Sequence, residues 1–231
     1  MSTTLLFTAV VQLLLLLLSI SAHEAAHAWV AERCGDSTPR LLGGVSLNPL
    51  RHLDPFGSIL LPLLLAVLGL PVFGWGRPTR VVPSNLRRPY WHMLLVSCAG
   101  PAVNLLLAAL ATVAVGLAAP ALGGEARKAA LVTLFNQIDA GSARLAGFPV
   151  MFTLVRLATL NAFLAVFNLL PVPPLDGGQI ALQVLPADWA AKLAAVRPYG
   201  LIIGIVLAMF GVVPLLLLPF YGILSVVINF L

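Results

Sequence analysis

A chain of 231 residues that is 60% hydrophobic and only 9% charged reads as an integral membrane protein rather than a soluble domain, because several of its apolar stretches approach or exceed the ~20 residues that a spanning helix needs. The formal net charge of +5 comes largely from arginines lying between those stretches, where they act as topology signals, so the basic balance does not point to nucleic acid. Cys34 and Cys98 form neither a Cys-x-x-Cys pair nor a disulfide framework and read as free packing thiols.

Apolar periodicity predicts a first helix from Thr4 to Arg33, closed by Cys34-Gly35-Asp36, where glycine suits a helix end. Met1 to Thr4 carries no lysine or arginine, so this helix is expected to be retained rather than cleaved as a signal peptide. Residues 40–49 are short and broken by glycine, and read as one or two short strands. The apolar stretch 56–70 is short and interrupted by Pro62, the pattern of a re-entrant dip. A polar segment with Arg77, Arg80, Arg87 and Arg88 leads to a second span at 90–119. A loop at 120–147 follows, with an amphipathic piece around Arg127 to Ile138. The third span, 150–171, runs into a proline- and glycine-rich turn at 171–178. The apolar tail 199–231, with Gly211 and Pro214 near its middle, reads as a kinked or hairpinned pair. The fold expected is an all-α polytopic membrane protein of one domain, a helical bundle with a re-entrant segment and a short membrane-associated β-element.

Inside the first helix stands His23-Glu24-Ala25-Ala26-His27. Histidines four residues apart share one helix face and can hold one zinc ion, and the glutamate between them can act as general base toward zinc-activated water. Ionisable groups at membrane depth cost roughly 2.5–3.5 kcal/mol each, so they mark a functional site. A catalytic zinc site takes three protein ligands and keeps one position open, so a third ligand is required. Apart from Glu24, Asp176 is the one acidic residue that directly follows a spanning helix within a stiff turn, Asn168-Leu-Leu-Pro-Val-Pro-Pro-Leu-Asp176-Gly-Gly178, whose glycines allow tight or left-handed backbone.

These pieces resemble the site-2 protease family of intramembrane zinc metalloproteases. The likeness is carried by His23-Glu24-x-x-His27, by Ala99-Gly100-Pro101-x-x-Asn104, and by Asn168-x-x-Pro171-x-Pro173-x-Leu175-Asp176-Gly177. Asn48 to Pro55 and Gly74-Trp75-Gly76-Arg77-Pro78 further resemble compact prokaryotic members without PDZ domains. The resemblance implies one Zn2+ held by His23, His27 and Asp176, with Glu24 as catalytic base. It also implies hydrolysis of peptide bonds in transmembrane segments of other proteins, with Asn168 and Asn104 as substrate or oxyanion amides. The expected partners are a transmembrane substrate, the lipid bilayer and a regulatory protein acting in trans, with no nucleic acid.

For Asp176 to reach the histidines, an odd number of crossings must separate the first and third spans. One crossing at 90–119 suffices if 56–70 dips and returns. Arginines 33, 40, 51, 77, 80, 87 and 88, with Lys192 and Arg197, then lie opposite Arg127, Lys128 and Arg144. By the positive-inside rule the site faces the cytoplasmic side of a prokaryotic cell membrane. Because a helical substrate must unwind to be cut, the segment Leu41 to Leu47 is expected to pair with it as an edge strand. His52 and Asp54 read as shaping the dip, His92 as an interfacial anchor, and Arg156 as a snorkelling or paired charge. A metal transporter would spread its ionisable groups along a path, whereas here they concentrate at one end.

Overall fold

The computed structural model describes residues 3–67, 73–135 and 148–230. Helix α1 (Thr3–Arg33) carries the His-Glu-x-x-His motif near its C-terminal end. It stops where expected, at Gly35, whose φ of +116° is open to glycine and costly for residues with a Cβ. A single turn, α2 (Thr38–Leu41), and a 3-10 turn (Pro49–Arg51) follow, and among the described residues there is no strand. The β-element expected at 40–49 is therefore corrected. Pro39 sits at the start of α2, where its fixed φ favours helix, and Gly43 (φ +79°) closes a turn by donating to the Arg40 carbonyl.

The segment 56–70 enters as a π-helical turn (Pro55–Leu60) and continues as α3 (Leu61–Val67). Thirteen residues rise only ~20 Å at ~1.5 Å each, too little to cross a ~30 Å core. Residues 68–72 lie outside the described residues, but both ends of the excursion are tied together. Trp75 N donates to Gly57 O (3.2 Å), Ser58 Oγ to Trp75 O (2.8 Å), and Arg77 N to His52 O (2.8 Å). The two ends of the excursion thus lie together. His52 and Asp54 shape this neck: His52 Nε2 pairs with Ser46 O at 2.7 Å, and the Asp54 carboxylate accepts from Gly57 N at 2.7 Å.

Helix α4 runs from Pro89 to Phe135, so the loop expected from Pro120 is helical as far as 135; residues 136–147 lie outside the described residues. Proline ends most helices in water, but in a membrane helix neighbouring groups satisfy the freed carbonyl. Helix α5 (Pro149–Asn168) is the third span, and short helices α6 (Asp176–Val184) and α7 (Ala187–Ala195) follow the proline-rich turn. The tail divides into α8 (Gly200–Met209) and α9 (Val212–Phe230) at Gly211, where φ is +84°. Among the described residues four helices, α1, α4, α5 and α9, are long and apolar enough to cross a membrane, while α7 and the segment through α8 form a pair bent by 44°.

The bundle packs through faces repeating at four, three and four residues. Met151, Val155, Ala158 and Ala162 of α5 meet Ala108, Ala111 and Val115 of α4, together with Leu217, Tyr221, Leu224 and Ile228 of α9. Lipid is as apolar as a protein core, so hydropathy does not distinguish inward from outward faces; alanines that let helices approach closely do. Leu16 and Ile20 of α1 close on Leu164 of α5. A polar tie lies beside them, where Asn161 Nδ2 donates to Ser19 Oγ at 2.9 Å.

Candidate metal centre

Helix α1 and the start of α6 bring three groups able to hold a metal ion to one point. His23 Nε2 lies 3.1 Å and His27 Nε2 3.3 Å from Asp176 Oδ2, and the two Nε2 atoms are 3.0 Å apart. No other group of three histidines, cysteines or carboxylates with this convergence occurs among the described residues. Two imidazole nitrogens and one carboxylate oxygen are a donor set that zinc takes, leaving a fourth position open. Both histidines are buried, and Asp176 keeps 17% of its side chain exposed.

Two of the three candidate ligands, His27 and Asp176, are held from behind by their neighbours. The ring Nδ1 of His27 lies 2.7 Å from the Val96 carbonyl on α4, so Nδ1 carries the proton and Nε2 is left as the free lone pair. Gly100, one turn further along α4, lies directly against both rings. A Cβ there would come within 2.6 Å of His23 Nε2 and would also strike His27 Nε2. The glycine therefore makes the hollow that the ligand atoms surround. Asp176 opens α6 with two glycines behind it. Neither has a positive φ, contrary to the left-handed option raised from sequence; their role is close approach. A Cβ on Gly177 would strike the carbonyls of Leu169 and Leu170, and one on Gly178 the backbone of Val172 and Pro173.

Glu24 is anchored by the returning segment before α4. Thr79 N donates to Glu24 Oε2 at 2.7 Å, and Thr79 Oγ1 to the Glu24 carbonyl at 3.0 Å. Gly76 of the same segment lies against Ile20 and the His52 carbonyl, where a Cβ would have no room. Asp36 fixes the segment's far end by accepting from Thr38 N, Val82 N and Asn85 Nδ2 at 3.0, 2.7 and 3.1 Å. Burial raises its carboxyl pKa, but these donors outweigh burial and hold it below the usual carboxylate range.

The region matched by the model of peptidase family M50 is residues 11–211, which takes in every residue of this cluster. The chain belongs to peptidase family M50, the site-2 protease family. It is 38% identical over 192 residues to the Bacillus subtilis protein named "Putative zinc metalloprotease YwhC", covering 83% of this chain and 77% of that one. It is 33% identical over 197 residues to "Putative zinc metalloprotease Rip2" of Mycobacterium tuberculosis strain Erdman, and 31% over 195 residues to the protein of that name in Mycolicibacterium smegmatis. The match covers 83% of this chain but only 63% of each of those two mycobacterial relatives. No solved structure matches the chain. Membership of M50 makes the chain a zinc metalloendopeptidase embedded in the membrane, and the cluster of two histidines and an aspartate suits the metal of that family.

Of the remaining sequence candidates, Asn168 donates Nδ2 to Leu164 O of its own helix at 2.9 Å, and Asn104 is fully buried at 0% exposure. His92 is more than an interfacial anchor, since its Nδ1 lies 3.1 Å from the Cys34 carbonyl and joins α4 to the end of α1. Arg156 lies over the Phe152 ring at 5.6 Å. Sequence reasoning assigned no role to Val96, Gly100, Thr79 or Asp36. Gly100 alone left a signal, a glycine beside proline within a long apolar helix.

Proposed function

We propose that this M50 peptidase cleaves membrane-embedded segments of other proteins, with His23, His27 and Asp176 as ligands of one Zn2+ and Glu24 as general base. The single observation that carries the assignment is the meeting of Asp176 Oδ2 with both Nε2 atoms across more than 140 residues of chain. When bound, zinc supplies Lewis acidity that brings the pKa of water to about 7.

The remaining steps belong to the chain's own groups. Val96 O holds the His27 ring in the tautomer with Nε2 free. Thr79 N binds one Glu24 oxygen, leaving the other to take the proton from water and pass it to the leaving amine. The Asn168 amide has two hydrogens, of which one is engaged with Leu164 O, and the second serves the substrate carbonyl.

An unwound substrate needs partners for its backbone. The segment 73–82 supports pairing better than Leu41 to Leu47. Its alternate amides, Trp75, Arg77 and Thr79, turn inward to Gly57 O, His52 O and Glu24 Oε2. The amides of Gly76 and Arg80 are left on the opposite edge, beside the base, without partners among the described residues. A substrate strand added there would run past Glu24. The gathering of Arg33, Arg40, Arg77 and Arg88 near the cluster's end of the chain's helices supports, by the positive-inside rule, a site on the cytoplasmic side of a prokaryotic membrane.

The test is zinc content of detergent-purified protein and digestion of single-span substrates. Wild type is expected to cut, and Glu24→Gln to keep its zinc while losing at least a hundredfold in rate. Undiminished cleavage by Glu24→Gln would overturn the assignment.

A further inference from the structure

The two histidines are not equally supported. His27 Nδ1 is bonded to Val96 O, whereas His23 Nδ1 is buried with no hydrogen-bond partner. Metal-binding histidines almost always donate the second ring N–H to an acceptor, which fixes tautomer and ring orientation. Among the described residues, Nδ2 and Oδ1 of Asn104 and Oδ1 of Asn161 are likewise buried without a hydrogen-bond partner.

Helix packing draws these groups to one level. Helices α1 and α4 run antiparallel, as His92 meets Cys34, Val96 meets His27, and Gly100 meets both His27 and His23. Asn104 shares the face of Gly100 one turn on, ~6 Å deeper. The same step back along α1 from His23 reaches Ser19, which accepts from Asn161 on α5. Three helices therefore each bury a polar side chain just below the metal cluster. Buried polar groups left over in this way are satisfied by internal water, which typically makes about three hydrogen bonds.

We propose that Asn104 is the positioning residue for His23: through buried water shared with the Ser19 and Asn161 pair, its amide oxygen receives the Nδ1–H of His23 and turns Nε2 to the metal. Asn104 then acts through His23 and does not touch substrate. The inference rests on His23 being a ligand, and the experiment separates the two.

Zinc affinity is measured by chelator competition on detergent-purified wild type, His23→Ala, Asn104→Leu and Asn104→Asp, with thermal unfolding of each metal-free protein as the measure of folding. Asn104→Leu is expected to weaken zinc by about 10- to 100-fold. Asn104→Asp, which keeps an acceptor, is expected to stay within about threefold of wild type. Unchanged zinc affinity in Asn104→Leu, with affinity lost in His23→Ala, overturns this inference alone; wild-type affinity in His23→Ala overturns the ligand assignment beneath it. If Asn104→Leu does not fold, a crystal structure of the zinc-loaded wild type decides the matter. Water or direct contact joining His23 Nδ1 to Asn104 is expected there, and a dry gap refutes the proposal.

Discussion

Replacing Gly100 by alanine adds one methyl group at the most crowded point of the site. The new carbon would lie 2.6 Å from His23 Nε2, against the ~3.5 Å at which carbon and nitrogen rest comfortably, so ring and helix must separate by about 1 Å. Zinc–nitrogen bonds tolerate only ~0.2 Å of error, so that displacement takes the ligands out of range. Overpacking costs about 1–3 kcal/mol, of which alanine regains up to about 1 kcal/mol through helix propensity over glycine, so the fold is weakened by about 2 kcal/mol at most where that offset is complete. Metal binding carries the loss. Competition with a chelator of known affinity should find zinc bound at least about 100-fold more weakly in Gly100→Ala, beside a lowered but still cooperative thermal transition of the metal-free protein. Wild-type zinc affinity in Gly100→Ala would refute the reasoning, for it would mean the rings do not close on the glycine.

Gly177→Ala drives a methyl group into the carbonyls of Leu169 and Leu170 and should swing Asp176 away, giving zinc loss measurable by the same competition with the His23 and His27 pair intact. Gly76→Ala should push the returning segment off Ile20 and break the Thr79 contact to Glu24; losing a hydrogen bond to a charged group is worth about 1.5–3 kcal/mol, so cleavage should fall about tenfold or more while zinc content holds. The depressed pKa of Asp36 has a defined sign: the stability it contributes is fully present above the unfolded value near 3.9 and is lost as pH falls through the lower folded value. Thermal unfolding of wild type should therefore weaken below about pH 4, and Asp36→Asn should be less stable at neutral pH and lack that part of the acid dependence.

The local features were legible in the sequence because each depends on near neighbours. Four-residue spacing put His23 and His27 on one face, Gly35 ended α1, Pro62 and shortness marked the dip, and the parity of crossings brought the end of α5 to the side of the histidines. The strand at 40–49 was misread because glycines that break a helix read alike in a strand boundary and in the turn after α2. The span from Pro89 ran past Pro120 because a membrane bundle tolerates proline that water would not.

What the sequence by itself determined is the chemistry available: a histidine pair spaced to suit zinc with a glutamate between them, an aspartate in a stiff turn, and apolar segments to carry them. Only the tertiary structure decided how those groups are held. The Val96 carbonyl behind His27, the bare Cα of Gly100 in the hollow and the polar level of Ser19, Asn104 and Asn161 lie across helix interfaces, and the Thr79 amide reaches Glu24 from the returning segment. In a chain whose lipid-facing and inward surfaces are equally apolar, periodicity of hydrophobic residues carries no record of which faces meet.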